Sequence, residues 1–145
     1  TVDCMRSLGV KIKIISRTVI INGVGLHGLK KPKKMLDAGT SGTTLRLMLG
    51  LLSAQKFESA IKCSGSLRNR PMERVIKPLK KMGAHIIHDK TNSCFKIKPT
   101  DISAINYKMP VASAQVKSAI ILAGLYCSGA IKIIEPQNHA IIQKI

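Results

Sequence analysis

Three segments of this 145-residue chain gather the kinds of side chain that hold an anion. In DAGTSGTTLRLMLGLL, from Asp37, two glycines and four hydroxyl residues stand immediately before an apolar run with helical character. Backbone N–H groups at a helix start have no partner within the helix, glycine lets a ligand come close, and the helix dipole favours negative charge there. The segment lacks the Gly-Lys-Ser/Thr ending of a Walker loop, and an N-cap by Ser41 or Thr43 explains the same residues without a ligand. PVASAQVKSAIILAGL, from Pro110, repeats the arrangement, with Ser113 and Gln115 as neutral groups that could orient a phosphate or carboxylate. A cap plus a solvent-facing Gln is its plain alternative. In SLRNRPMERVIKPLKKMGA, Arg68, Arg70 and Arg74 fall at the start of a predicted helix, where positive charge opposes the dipole and asks for a bound anion. Arg70, held extended by Pro71, can offer its fork to a phosphate or carboxylate, whereas Arg68 and Arg74 fit a solvated basic face.

Other chemistries find less support. His27, His85, His88 and His139 have no Ser, Cys or Asp partner at a telling spacing, so a hydrolase triad is not indicated. Asp37 and Glu73 are too isolated to form an acid and base pair. Cys4, Cys63, Cys94 and Cys127 stand far apart, without a C-x-x-C or metal-ligand spacing, and read as buried or free thiols of a reducing compartment.

The elements that must position these groups recur along the chain. RSLGVKIKII, from Arg6, and KKMGAHIIH, from Lys80, each run from a helix end through a glycine into a β-rich stretch. TTLRLMLGLLSAQ, from Thr43, and KSAIILAGLYCSG, from Lys117, form a second pair at nearly the same offset of about 73 residues, each followed by a strand-like AIK. An internal duplication follows, with a unit of strand, helix, strand, helix, then one or two strands. The expected strands are KIKIIS, TVIING, SAIKCS, AHIIHD, CFKIKP and AIKIIE, and the expected helices are 43–54, 71–82 and 115–126. Pro78 should kink the second helix, while Pro71 suits its first turn and Lys80 and Lys81 suit its last.

A chain of this length can bury about two thirds of its unfolded surface. With 45% hydrophobic residues but only 3% aromatics and no Trp, the core must be aliphatic. A stacking platform for single-stranded nucleic acid is thereby disfavoured. The formal charge of +17 favours anionic partners: nucleic acid, a membrane surface or phosphorylated and carboxylated metabolites. No run approaches the ~18 apolar residues of a membrane span and no leader opens the chain, so a soluble, cytoplasmic protein is expected.

Together, and in this order, SGTTLRLMLGLL, RPMERVIKPLKKMGA and PVASAQVKSAIILAGL, supported by MRSLGV and IIEP, resemble the 5-enolpyruvylshikimate-3-phosphate synthase family, most of all its glyphosate-tolerant bacterial class. The likeness runs over residues 1–136. The sister family that transfers enolpyruvate to UDP-N-acetylglucosamine shares the fold but has different loops. The resemblance implies an α/β (α+β) fold of repeated βαβαββ units around a pseudo-threefold axis, of which this chain holds about two units of one domain. It implies transfer of the carboxyvinyl group of phosphoenolpyruvate to the 5-hydroxyl of shikimate 3-phosphate with release of phosphate, in a monomer needing no metal or organic cofactor. Carried over by position, Gly42 lines the phosphoenolpyruvate pocket, Arg70 binds that substrate's anionic groups, and Ser113 and Ala114 meet the phosphate of shikimate 3-phosphate. Gln115 lies between the substrates, and Thr43 and Arg46 support the first loop. Thr40 stands where the family often has Asn. The family's N-terminal lysine and arginine segment and its acidic catalytic residue have no counterpart here, so no catalytic residue is assigned and the chain alone is expected to be inactive. A basic nucleic-acid-binding module is the competing reading, resting on charge alone.

After Pro136 the likeness stops: where the family has a Ser-Arg-Asp-His-Thr-Glu stretch, this chain has Gln137 to Ile145. Gln137 to Lys144 can be encoded CAA AAT CAC GCG ATC ATA CAG AAA, which read from the third base gives K-S-R-D-H-T-E. A frameshift near Pro136 is therefore expected, with residues 137–145 an out-of-frame tail.

Overall fold

A computed structural model describes residues 1–136. The tail for which the frameshift is expected lies outside the described residues.

Each helix begins and ends where local chemistry allows. Helix α1, Val2–Ser7, closes on Gly9 at φ +95°, with Gly9 N–H bonded to the Arg6 carbonyl and Val10 N–H to that of Met5. This pair of bonds satisfies the last carbonyls and needs a left-handed residue, which glycine supplies without strain. The chain then forms a hairpin of β1, Lys11–Ile15, and β2, Thr18–Asn22, joined through Ser16 and Arg17. Two short strand–helix–strand crossings follow in different parts of the chain. In the first, β3, Leu36–Asp37, lies parallel to β4, Ser59–Lys62, and α2, Gly42–Ser53, connects them. A 3-10 helix, Gly65–Asn69, leads to α3, Glu73–Lys81, which ends on Gly83 at φ +104° with the same pair of bonds, to Lys80 and Leu79. The second hairpin, β5, His85–Asp89, and β6, Cys94–Lys98, follows directly. In the second crossing α4, Ala114–Gly124, joins β7, Asn106–Lys108, to its parallel neighbour β8, Lys132–Ile134.

The strands make a four-stranded sheet of order β3-β4-β6-β5, the β1-β2 hairpin and the β7-β8 pair. An α/β fold with mixed pairing results. The expected helices appear with ends displaced by one or two residues. Helix α3 starts at Glu73 rather than at Pro71, because Arg70 stays extended and the Met72 carbonyl accepts the first bonds, from Val75 and Ile76. The helix continues through Pro78 to Lys81, and the Pro78 carbonyl accepts from Met82 N–H.

The core is aliphatic, as composition requires: Leu45, Leu49, Ile61, Leu79, Met82 and Ile97 are buried where α2 and α3 meet the four-stranded sheet, with α4 packed on both helices. Phe95 and Tyr107 are its aromatic members, with the His88 ring stacked on Phe95 at 4.2 Å. Helices α2 and α4 pack face to face at unusually short range. A Cβ placed on Gly50 would stand 2.2 Å from the Ala119 carbonyl oxygen, so the approach exists because residue 50 has no side chain.

Candidate functional site: paired helix N-termini

The close packing of α2 and α4 brings their N-termini side by side at the carboxyl ends of β3 and β7. Loops at the carboxyl ends of parallel strands are where open α/β sheets bind ligands. Both helices are capped alike: the Ser41 hydroxyl accepts from Thr44 N–H at 3.2 Å and the Ser113 hydroxyl from Val116 N–H at 3.4 Å. The capping reading is thus correct for Ser41, and Thr43 is left for another partner. In both caps the hydroxyl oxygen accepts, so its own proton remains available to donate.

The loop before α2 is fixed from several directions. Gly39 N–H bonds the Asp37 carboxylate at 2.7 Å, Lys62 pairs with the same carboxylate at 3.4 Å, and Ser64 N–H reaches the Gly39 carbonyl. Thr40 packs over Gly65, where an added Cβ would lie 3.0 Å from its methyl group. The 3-10 helix that begins at Gly65 delivers Arg70 in the extended conformation expected of a residue before proline, at φ −78° and ψ 138°.

Gln115 ties the two helix starts together. Arg46 Nη1 donates to Gln115 Oε1 at 2.6 Å, and Gln115 Nε2 donates to Thr43 Oγ1 at 2.8 Å. Gln115 is therefore not the solvent-facing residue of the plain alternative. A Cβ at Gly42 would come within 2.7 Å of Arg46 Nη1 and 3.6 Å of Arg70 Nη1, so the bare backbone of Gly42 lies beside both guanidiniums. Burial holds Arg46 below the ordinary arginine range, and the positive charges of Arg70 and then Arg74 push it the same way. Among the described residues the ion pairs are Arg6–Asp3, Lys56–Asp101, Lys62–Asp37 and Lys117–Glu135, and none neutralises this cluster. The guanidinium groups of Arg46 and Arg70 and two helix N-termini thus meet with no ion-pair partner among the described residues, an arrangement that a polyanion would stabilise.

Gly42, Thr43, Arg46, Arg70 and Gln115 share this site. Ser113 and Ala114 stand at the start of α4 beside Gln115, with Ala114 exposed. Arg74 is exposed, as the reading of a solvated basic face expects, and its positive charge adds to the lowering at Arg46. Arg68 is exposed on the 3-10 helix and has no demonstrated part. A cleft of about 450 Å3 at the opposite ends of α2 and α4, lined by Ala54, Lys56, Asp101 and Tyr126, has its lysine and aspartate already paired. No group of three or more metal-ligating side chains stands together among the described residues, and no helix there is long and apolar enough to cross a membrane.

Comparison with known proteins gives one answer. The family model described as EPSP synthase (3-phosphoshikimate 1-carboxyvinyltransferase) matches residues 1–143 and so reaches into the tail. The 3-phosphoshikimate 1-carboxyvinyltransferase of Bacillus subtilis (strain 168) is 46% identical over 141 residues, covering 95% of this chain and 33% of that protein. The enzyme of the same name from Alkaliphilus metalliredigens is 50% identical over 131 residues, covering 89% and 31%. Among solved structures, EPSP synthase from Acinetobacter baumannii superposes with a TM-score of 0.88 at 44% identity, over 97% of this chain and 32% of that one. The enolpyruvyl transferase NikO from Streptomyces tendae, at 14% identity and a TM-score of 0.62 over 92% of this chain and 30% of that one, shares the fold. The chain spans about a third of the length of the curated relatives it matches.

Proposed function

Because the chain belongs to the EPSP synthase (3-phosphoshikimate 1-carboxyvinyltransferase) family, we propose that its paired helix N-termini form part of the site where phosphoenolpyruvate meets shikimate 3-phosphate. The carboxyvinyl group would pass to the 5-hydroxyl and phosphate would leave. The observation that carries this reading is the bridge from Arg46 through Gln115 to Thr43, set between unneutralised arginines. Both substrates are polyanions, and preformed donors aimed at them hold charge without reorganising. On this reading Gly42 and Arg70 take the phosphoenolpyruvate side, Ser113 and Ala114 take the phosphate of shikimate 3-phosphate, and Gln115 separates the two. Arg46 and Thr43 keep Gln115 in place. The protein works in the cytoplasm on these small molecules.

Proton transfer at the enolpyruvyl carbon needs an acid and a base, and no carboxylate is paired with this cluster among the described residues. The 145-residue chain by itself is therefore expected to bind shikimate 3-phosphate weakly and to release no phosphate from phosphoenolpyruvate. Calorimetric titration with shikimate 3-phosphate should show saturable binding that Arg70→Ala and Gln115→Ala each weaken about tenfold, the loss of one charge-assisted contact. Binding indifferent to both substitutions would defeat the site assignment, and turnover by the purified chain would defeat the expectation of inactivity.

A further inference from the structure

Asp37 is the acidic residue of the stretch that leads into α2. It is the last residue of β3, held there by pairing with Lys62 of β4 and by Cys4 Sγ, which donates to its carbonyl oxygen at 3.3 Å. The chain then turns at Gly39, at φ +55°. An added Cβ at residue 39 would meet nothing within 4 Å, so the left-handed backbone and not crowding selects glycine there. Glycine adopts that conformation without strain and leaves it as easily, so the turn has to be held by its bonds. Asp37 Oδ1 accepts from Gly39 N–H at 2.7 Å, and the Gly39 carbonyl accepts from Ser64 N–H at 2.9 Å. Beyond the turn, Gly42 and Thr43 open α2, and as its first two residues their N–H groups have no acceptor within the helix.

The charge of Asp37 works in the opposite direction. A carboxylate beside an anion site repels the ligand, so Coulomb's law alone expects its removal to tighten binding. The ion pair with Lys62, at 3.4 Å between half-exposed side chains, offsets that repulsion and by itself contributes little to stability. The bond to Gly39 is then what the residue supplies. We infer that Asp37 is a positioning residue of the site at the starts of α2 and α4: by fixing the turn at Gly39 it presents the Gly42 and Thr43 N–H groups, and it raises affinity for an anion whose sign of charge it shares. Without that acceptor the turn is free to vary, and binding has to order it. This role rests on the reading of the site as the place where the two phosphorylated substrates meet, and it gives Asp37 no contact with either.

Calorimetric titration of the 145-residue chain with shikimate 3-phosphate and, separately, with inorganic phosphate tests it in four proteins: native, Asp37→Ala, Asp37→Asn and Arg70→Ala. Asparagine keeps a side-chain oxygen for Gly39 N–H but loses the charge and the pair with Lys62. Asp37→Ala should weaken both anions about tenfold, the cost of ordering about one residue of backbone. Asp37→Asn should bind them within about twofold of the native chain, or more tightly. Native affinity or better in Asp37→Ala, or Asp37→Asn as weak as Asp37→Ala, would overturn the inference. The half-exposed side chain can be shortened without opening the core, so a far-UV spectrum lost in Asp37→Ala would overturn it as well, by making Asp37 a support of the fold and not of the turn. The two readings fail separately. If Arg70→Ala weakens binding and Asp37→Ala does not, the site stands and the role of Asp37 falls. If the native chain takes phosphate but not shikimate 3-phosphate and the Asp37 pattern holds, that role stands and the substrate reading falls. Binding of neither anion to the native chain would overturn both.

Discussion

Gly42 sits where one methyl group would separate two effects usually confounded in a binding-site mutant. Its added Cβ would meet Arg46 Nη1, the far end of a flexible side chain, rather than backbone. Arg46 can swing aside at little cost to the fold, but its bond to Gln115 would then break. Gly42→Ala should therefore leave the urea midpoint nearly unchanged while weakening shikimate 3-phosphate or phosphoenolpyruvate binding about tenfold. A large fall in stability with binding intact would contradict this account of Arg46. His88 offers a different residue-level test. Burial lowers its pKa, Lys90 adds to the effect, and Glu73 and Asp89 oppose it more weakly. A depressed folded pKa means that the unfolded chain takes up the proton first. The contribution of His88 is thus fully present above the ordinary value of about 6.5 and is lost as pH falls toward the folded pKa. His88→Gln should flatten that acid-side loss in chemical denaturation curves measured between about pH 7.5 and 5, and an unchanged slope would assign the loss to other groups.

The contact between α2 and α4 places both helix N-termini, and Gly50 lies in it against Ala119. A Cβ there would meet the Ala119 carbonyl oxygen, carbonyl carbon and Cα, none of which can move without shifting a helix. Gly50→Ala should destabilise by about 1–3 kcal/mol despite the higher helix propensity of alanine. Gly23→Ala, with open space around its Cβ, is the control expected to be near neutral. Urea unfolding with an unchanged m value would measure both; equal midpoints would show that the helices can part freely. The packing that makes Gly50 critical also marks what the sequence could reveal. Apolar runs, Ser caps and terminal glycines are local signals, and α2, α4 and both hairpins could be read from them. Strands β3 and β7 could not, because MLD and INYKM have no alternation of their own and are strands by virtue of pairing with β4 and β8. The start of α3 is not legible, because Pro71 suits both a first turn and the lead-in to one. Arg70, Ser113 and Gln115 stand out by residue type at helix starts, whereas Gly42 and Ala114 as site residues, and the substrate each would face, rest on the family likeness. The bond between Arg46 and Gln115 follows from a crossing of helices that no spacing encodes.

At the scale of the whole molecule, 24 Lys and Arg against 7 Asp and Glu leave the fold under self-repulsion that any anion relieves. Two kinds of relief should be separable. General screening acts on every exposed lysine and depends on ionic strength alone. Occupation of the cluster at α2 and α4 depends on the identity of the anion, because Arg46, Arg70 and the two helix N-termini offer donors close together. At matched ionic strength, replacing chloride by phosphate at ten times its Kd should add about 1.4 kcal/mol of stability, a rise of roughly 4–6 °C in Tm. The double substitution Arg46→Gln with Arg70→Gln should abolish that increment and leave the response to sodium chloride nearly as before. Should phosphate raise Tm equally in the native chain and the double variant, its effect would belong to the diffuse charge of the surface. The cluster would then owe its arrangement to helix packing alone.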